Sequence, residues 1–153
     1  MEKILISACL FGENVRYDAG HCLIDDPDFL TWQEEGRLIP ICPEMAGGLP
    51  APRPPCERDL KTGDILDKDG QNFTEAFYNG ADLALALAQE HGIRYALLKE
   101  RSPSCGVNII YDGTFTSTKI PGSGVTATLL KNNGLSVFSE FDLDALKSAL
   151  KGA

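Results

Sequence analysis

ILISACLFGENVRYD, residues 4–18, passes from a run of apolar positions into loop residues at Cys9. A half-buried strand would alternate apolar and polar side chains. Ile4, Leu5 and Ile6 do not alternate, so the run predicts a strand covered on both faces, as in a parallel sheet. Three more runs share this character: LIPI at Leu38 to Ile41, YALLK at Tyr95 to Lys99, and LSVFS at Leu135 to Ser139. With Lys3 to Ser7 (KILIS) they make four predicted strands, each separated from the next by a helical pattern.

The helices carry their own start and stop signals. Asp26 as N-cap and Pro27 at the first helical position open one helix, and Gly36 closes it. A second begins at NFTE, where Asn72 and Glu75 stand in capping-box relation. Phe73, Phe77, Ala81, Ala84 and Ala88 form its apolar face, and Gly92 ends it. A third runs from about Val125 to Asn133 before Gly134, and a fourth follows Asp142. Two stretches interrupt the alternation. Pro50 to Asp69 is rich in proline, with a small hairpin or wandering loop over Lys61 to Asp69, and Tyr111 to Gly124 is a Gly/Ser/Thr-rich loop. Long loops in a compact domain are often functional. The expected fold is α/β: a small open, mainly parallel sheet with flanking helices, Rossmann-like, as one domain over residues 1–153.

Charge narrows the function. With 14 basic and 22 acidic residues the net charge is -8, which argues against a general binder of nucleic-acid backbones. A local anion site remains open. Ile4 to Ala8 imitates a lipoprotein cleavage box ahead of Cys9, but the apolar stretch is too short for a signal peptide. No stretch approaches the roughly 18 apolar residues that span a bilayer. A reducing, cytoplasmic setting is therefore expected, where the 5 cysteines serve as ligands or reactive thiols rather than disulfide partners.

Cys9, Cys42 and Cys105 each fall just past a predicted strand, in SACLFG, ICPEMAGG and KERSPSCG. In open α/β sheets, ligands bind outside the carboxyl ends of the strands, so these three thiols are expected on one rim. Three thiolates leave a coordination position open. That suits catalytic zinc or a [4Fe-4S] cluster with one free iron. Cys22 and Cys56 could each be a fourth ligand or a spare thiol, and the spare-thiol reading is favoured because neither lies at a strand tip; His21 and His91 are weak competitors for a metal. Glu44, two residues past Cys42, is placed to act as a general base. Ser102 and Ser104 flank Pro103 and offer hydroxyls to a substrate or a proton relay, while Arg53, Lys99 and Arg101 are candidate anion contacts. GSG at residues 122–124 is a weak phosphate signal.

SACLFG…VRYD, CPEMAGGLPAPRPP, LLKERSPSCG, IYDGTF and GVTATLLKNNGLSVFSE together resemble the DUF523 family of TudS-like thiouracil desulfidases. The resemblance runs from Ile4 to about Glu140. It implies a [4Fe-4S] cluster held by Cys9, Cys42 and Cys105, with Glu44 and Ser102 as acid/base residues. It also implies a small-molecule thiolated base or nucleotide as substrate, such as 2-thiouracil or 4-thiouridine monophosphate. That substrate is expected against Arg53, Arg101, Ser104 and Gly106. Cys56 departs from the pattern, which has a small non-thiol residue after PRPP. Two rival readings remain: a non-catalytic iron–sulfur or zinc-binding redox or sensor module on the same three thiols, and a cysteine hydrolase or transferase with one thiol as nucleophile, for which only His21, close to Cys22, is well placed.

Overall fold

The computed structural model describes residues 1–20 and 23–152. His21 and Cys22, and with them the hydrolase pair, lie outside the described residues. In chain order the elements are β1 (Ile4–Ser7), α1 (Pro27–Glu34), β2 (Leu38–Ile41), α2 (Pro43–Ala46), β3 (Cys56–Arg58), β4 (Ile65–Asp67) and α3 (Thr74–Glu90). They continue as β5 (Tyr95–Leu98), β6 (Ile109–Tyr111), β7 (Lys119–Pro121), α4 (Val125–Asn132), β8 (Ser136–Ser139) and α5 (Leu143–Lys151). A four-stranded sheet has the order β2-β1-β5-β8, with every pairing parallel. Its strands are the four expected ones, each within a residue of the predicted ends.

The two-sided burial predicted for β1 follows from winding in both directions. The face carrying Ile4, Ile6 and Leu97 packs on Phe29 and Trp32 of α1 and Leu146 of α5. The opposite face, with Leu5, Ala96 and Leu98, packs on Ala84 and Ala88 of α3 and on Ala127 and Leu130 of α4. Successive side chains of a strand point to opposite faces, so a strand sandwiched this way must be apolar throughout. From β1 the chain first crosses to β2 on one side and then returns past β1 to β5 on the other. The winding thus reverses beside β1, which opens a crevice at the carboxyl ends of β1 and β5. No described helix is long and apolar enough to cross a membrane.

Local signals held with small shifts. Asp26 caps α1, its Oδ1 accepting from Asp28 N at 2.9 Å and Phe29 N at 3.3 Å. Helix α3 begins at Thr74, not as a capping box on Asn72; the Asn72 side chain instead accepts from Thr74 N at 2.9 Å. The loop regions hold more structure than expected. β3 and β4 form an antiparallel hairpin that starts at Cys56 rather than Lys61, and the Tyr111 to Gly124 segment contributes to a second hairpin, β6–β7. Strands of three residues are too short to show a period of two in sequence.

Helix α2 is a single turn pressed onto α3. A Cβ at Gly80 would lie 1.9 Å from Pro43 O, and one at Gly47 would lie 2.0 Å from Ala76 O. Because the obstacle is backbone, an overpacking penalty of about 1–3 kcal/mol outweighs the roughly 1 kcal/mol that Ala gains over Gly in helix propensity. Gly80→Ala is therefore expected to destabilise the fold and displace Pro43 with its neighbours Cys42 and Glu44. The urea midpoint of unfolding measures the first effect.

Candidate metal centre and substrate cavity

Strand register brings the sequence-distant thiols to one level. Ser7 pairs with Ile41 and Ile6 with Leu97, so β2, β1 and β5 end side by side. Cys9 sits in the short 3-10 turn Ala8–Phe11 directly after β1. Cys42 is the N-cap of α2 directly after β2. Cys105 lies in the turn that follows β5, where Ser102 Oγ accepts from Ser104 N at 3.0 Å and Cys105 N at 3.2 Å. All three cysteines line a cavity of about 410 Å³, together with Glu44, Arg53, Arg101, Ser102, Phe115 and Cys56.

Burial sets the thiol chemistry. Cys105 is 5% exposed, and its thiol is pushed well above the ordinary range by desolvation, with a hydrogen bond from Ser7 acting against it. Cys42, Glu44 and Cys9 are close enough for their negative charge to add to that rise. Cys42 is likewise raised, first by burial and then by Glu44, against amide hydrogen bonds and Arg53. A cationic group entering here would replace the protons on these sulfurs. Among the described residues, no three His, Cys, Asp or Glu side chains gather closely enough to hold one metal ion. Three thiols lining one cavity are a soft donor set of the kind that suits an iron–sulfur core.

Glu44 and Ser102, far apart in sequence, meet here. Ser102 Oγ donates to Glu44 Oε2 at 3.3 Å, and Arg53 Nε donates to Glu44 Oε1 at 3.3 Å. Arg53 is 9% exposed and heavily engaged: Nη1 donates to Val15 O at 2.9 Å and Pro50 O at 3.0 Å, and Nη2 lies 3.9 Å from Cys42 Sγ. It lines the cavity as a brace for Glu44 and Cys42. Arg101 differs. Its Nε is buried without an acceptor, its Cζ lies 5.7 Å from the Phe141 ring centroid, and its φ is +76°. Lys99 pairs with Glu140 at 2.8 Å.

Two expected substrate contacts are not brought to the cavity. Ser104 is fully buried, bonded to Thr126 Oγ1 at 2.8 Å under the start of α4. Gly106 faces backbone: its Cβ would lie 2.7 Å from Ser102 O and 2.8 Å from Ile109 O. Both shape the turn from behind. The GSG stretch is also internal packing, since a Cβ at Gly124 would lie 2.3 Å from Ser104 O. Cys56 lies on the cavity wall rather than outside it, its thiol pushed up to about 12 by burial and then by Glu44 and Asp67.

Sequence reasoning overlooked Glu100. This buried carboxylate accepts through Oε1 from Val107 N at 2.6 Å, Asn108 N at 2.8 Å and Ile109 N at 3.0 Å. It closes both ends of the loop that carries Ser102 and Cys105. The available signal was an acid set directly after an apolar strand, where a solvated charge is the ordinary reading.

The whole chain is similar to known proteins. A protein of Bacillus subtilis (strain 168), named "Uncharacterized protein YbbK", is 41% identical over 149 residues, covering 92% of this chain and 97% of that one. The solved structure of a [4Fe-4S]-dependent thiouracil desulfidase, TudS (DUF523Vcz), superposes with a TM-score of 0.97 at 46% identity over 100% of both chains. The sequence pattern of the 2-thiouracil desulfurase family matches residues 4–142, and the chain belongs to that family.

Proposed function

We propose that this protein is an iron–sulfur-dependent desulfidase that hydrolyses the thiocarbonyl of thiolated pyrimidines, with Cys9, Cys42 and Cys105 holding a [4Fe-4S] cluster. The observation that carries this reading is the meeting of three thiols with a Glu44–Ser102 pair in one cavity at the ends of adjacent strands. Family membership and the likeness to a [4Fe-4S]-dependent thiouracil desulfidase support it.

When bound, the cluster supplies a thiophilic Lewis acid that polarises the C=S bond toward attack. The chain's own groups handle water and protons. Glu44 is the general base that takes a proton from the water attacking the thiocarbonyl carbon. Ser102, donating to Glu44 Oε2, passes a proton toward the ring nitrogen or the departing sulfur. Arg53 holds the carboxylate in place and keeps its charge beside Cys42. The balance is thiocarbonyl plus water giving carbonyl plus hydrogen sulfide, with no net oxidation or reduction.

The test is anaerobic purification followed by assay with 2-thiouracil and 4-thiouridine monophosphate in water enriched in oxygen-18. Sulfide and pyrimidine carbonyl should form one to one, with the heavy oxygen in the product. A bound cluster with no sulfide release would instead favour the non-catalytic module.

Arg101 is assigned to the substrate. A buried donor without an acceptor is unfavourable, so an acceptor supplied by the ligand explains its placement on the cavity wall. Arg101→Leu is expected to raise KM for 4-thiouridine monophosphate by about 10- to 100-fold, a charge-assisted hydrogen bond being worth about 1.5–3 kcal/mol. Steady-state kinetics on both substrates measure the difference, and KM for 2-thiouracil should move less.

A further inference from the structure

The tip of the β6–β7 hairpin is held in a conformation that its sequence disfavours. Phe115 has φ +59° and Ser117 φ +60°, in the left-handed region that residues with a Cβ seldom occupy. Among the described residues, the non-glycine positions with positive φ are Ala19, Arg101, Phe115 and Ser117. All but Ala19 line the cavity. Such strain persists only where the surroundings over-determine it, and it clusters at ligand sites.

Glu57, in β3, supplies the constraint. Its Oε1 accepts from Gly113 N at 3.0 Å and Phe115 N at 3.3 Å. Gly113, at φ +91°, lets the hairpin sit flush on β3, because a Cβ there would lie 2.4 Å from Arg58 O. The Thr114, Thr116 and Thr118 hydroxyls form a chain at 2.6 Å and 2.8 Å that stiffens the tip. Phe115 itself is half-buried and belongs to none of the three apolar clusters of the core. An aromatic side chain held by a buried-side constraint, lining a cavity, and serving no core has a flat face to offer a ligand.

We propose that Phe115 is the ring-stacking wall of the substrate cavity and that Glu57 is the residue that positions it. The inference rests on the desulfidase reading and sharpens it: the cavity selects planar heteroaromatic thiocarbonyls over puckered or open-chain ones. Stacking is tolerant of ring substituents, because every pyrimidine presents a π-face.

The test compares wild type with Phe115→Leu, Phe115→Tyr, Glu57→Ala and Glu57→Gln, using 2-thiouracil and its puckered analogue 5,6-dihydro-2-thiouracil. Uracil binding to the same cluster-loaded proteins is measured by equilibrium dialysis, since uracil brings no sulfur. Phe115→Leu is expected to raise KM for 2-thiouracil about tenfold, with kcat and iron content kept. KM for the dihydro compound should hardly change. Phe115→Tyr keeps the ring face and should behave as wild type. Glu57→Ala should reproduce Phe115→Leu, and Glu57→Gln should rescue it, because an amide carbonyl still accepts from both N–H groups. Unchanged KM in Phe115→Leu, or equal rises for both compounds, would overturn the proposal. Uracil binding separates the two readings. If wild type binds uracil, Phe115→Leu loses it, and no thiouracil is consumed, the stacking wall stands and the desulfidase reading falls. Desulfuration with equal uracil affinity in both proteins, or with no uracil bound by either, removes the wall alone.

Discussion

Replacing Cys9, Cys42 or Cys105 by alanine, one at a time, is expected to abolish the visible iron–sulfur absorption and all sulfide release, while Cys56→Ala keeps both. The three positions are not equivalent in sequence context, yet each follows a different strand of the adjacent trio β2, β1 and β5. Losing one thiolate would leave a core held at two corners, and the nearby carboxylate of Glu44 is too hard a donor to replace a sulfur at iron. Cys56 faces the same cavity, but Cys105 feels the charges of Cys42, Glu44 and Cys9, whereas Cys56 feels those of Glu44, Asp67 and Arg53. Its charged surroundings are thus Glu44, Asp67 and Arg53 rather than the other thiols. Iron and acid-labile sulfide per chain, measured anaerobically, decide the matter; bleaching in Cys56→Ala with a retained chromophore in Cys9→Ala would reverse the ligand assignment. Thermal unfolding of the apoproteins controls for folding, since removing one sulfur atom from a buried site is a small change in core volume.

This arrangement was partly legible in the chain before its structure. A strand sandwiched between helices must be apolar at every position, so KILIS and YALLK announced a parallel sheet, and the rule that ligands gather at strand carboxyl ends gave the three thiols a common rim. Strand order is a non-local property, and nothing local to KILIS or LIPI fixes β1 between β2 and β5. The three-residue strands of the hairpins also carry too few positions for a pattern. Functional direction was the hardest to read. In RSPSCG, Ser102 and Ser104 look alike, but one turn geometry sends Ser102 toward Glu44 and Ser104 under α4. Arg53 and Arg101 likewise look interchangeable as cations. One is saturated by Glu44 and backbone carbonyls, and the other retains a buried donor without an acceptor. Glu57 and Phe115 gave no signal, because a left-handed φ at a phenylalanine arises only when another segment imposes it.

Glu44→Gln should lower kcat by about 10²–10⁴, the range for losing a general base, with KM and the chromophore little changed. Glutamine keeps the size and can still accept from Arg53 Nε through its carbonyl oxygen. Its amide nitrogen then faces Ser102 Oγ, which already accepts from Ser104 N and Cys105 N. Ser102 therefore loses the acceptor for its own proton, and the relay is broken at both ends by one atom. The same substitution discriminates a catalytic carboxylate from one that serves the metal centre. After burial, the charge of Glu44 is among the influences that hold the Cys42 and Cys105 thiols protonated. Neutralising it eases their deprotonation, so cluster loading should be equal to or better than that of the parent. Glu44→Asp keeps the charge but withdraws it by one methylene, and should retain part of the activity. Loss of iron from Glu44→Gln, or a turnover number within about threefold of the parent, would remove Glu44 from the role of base.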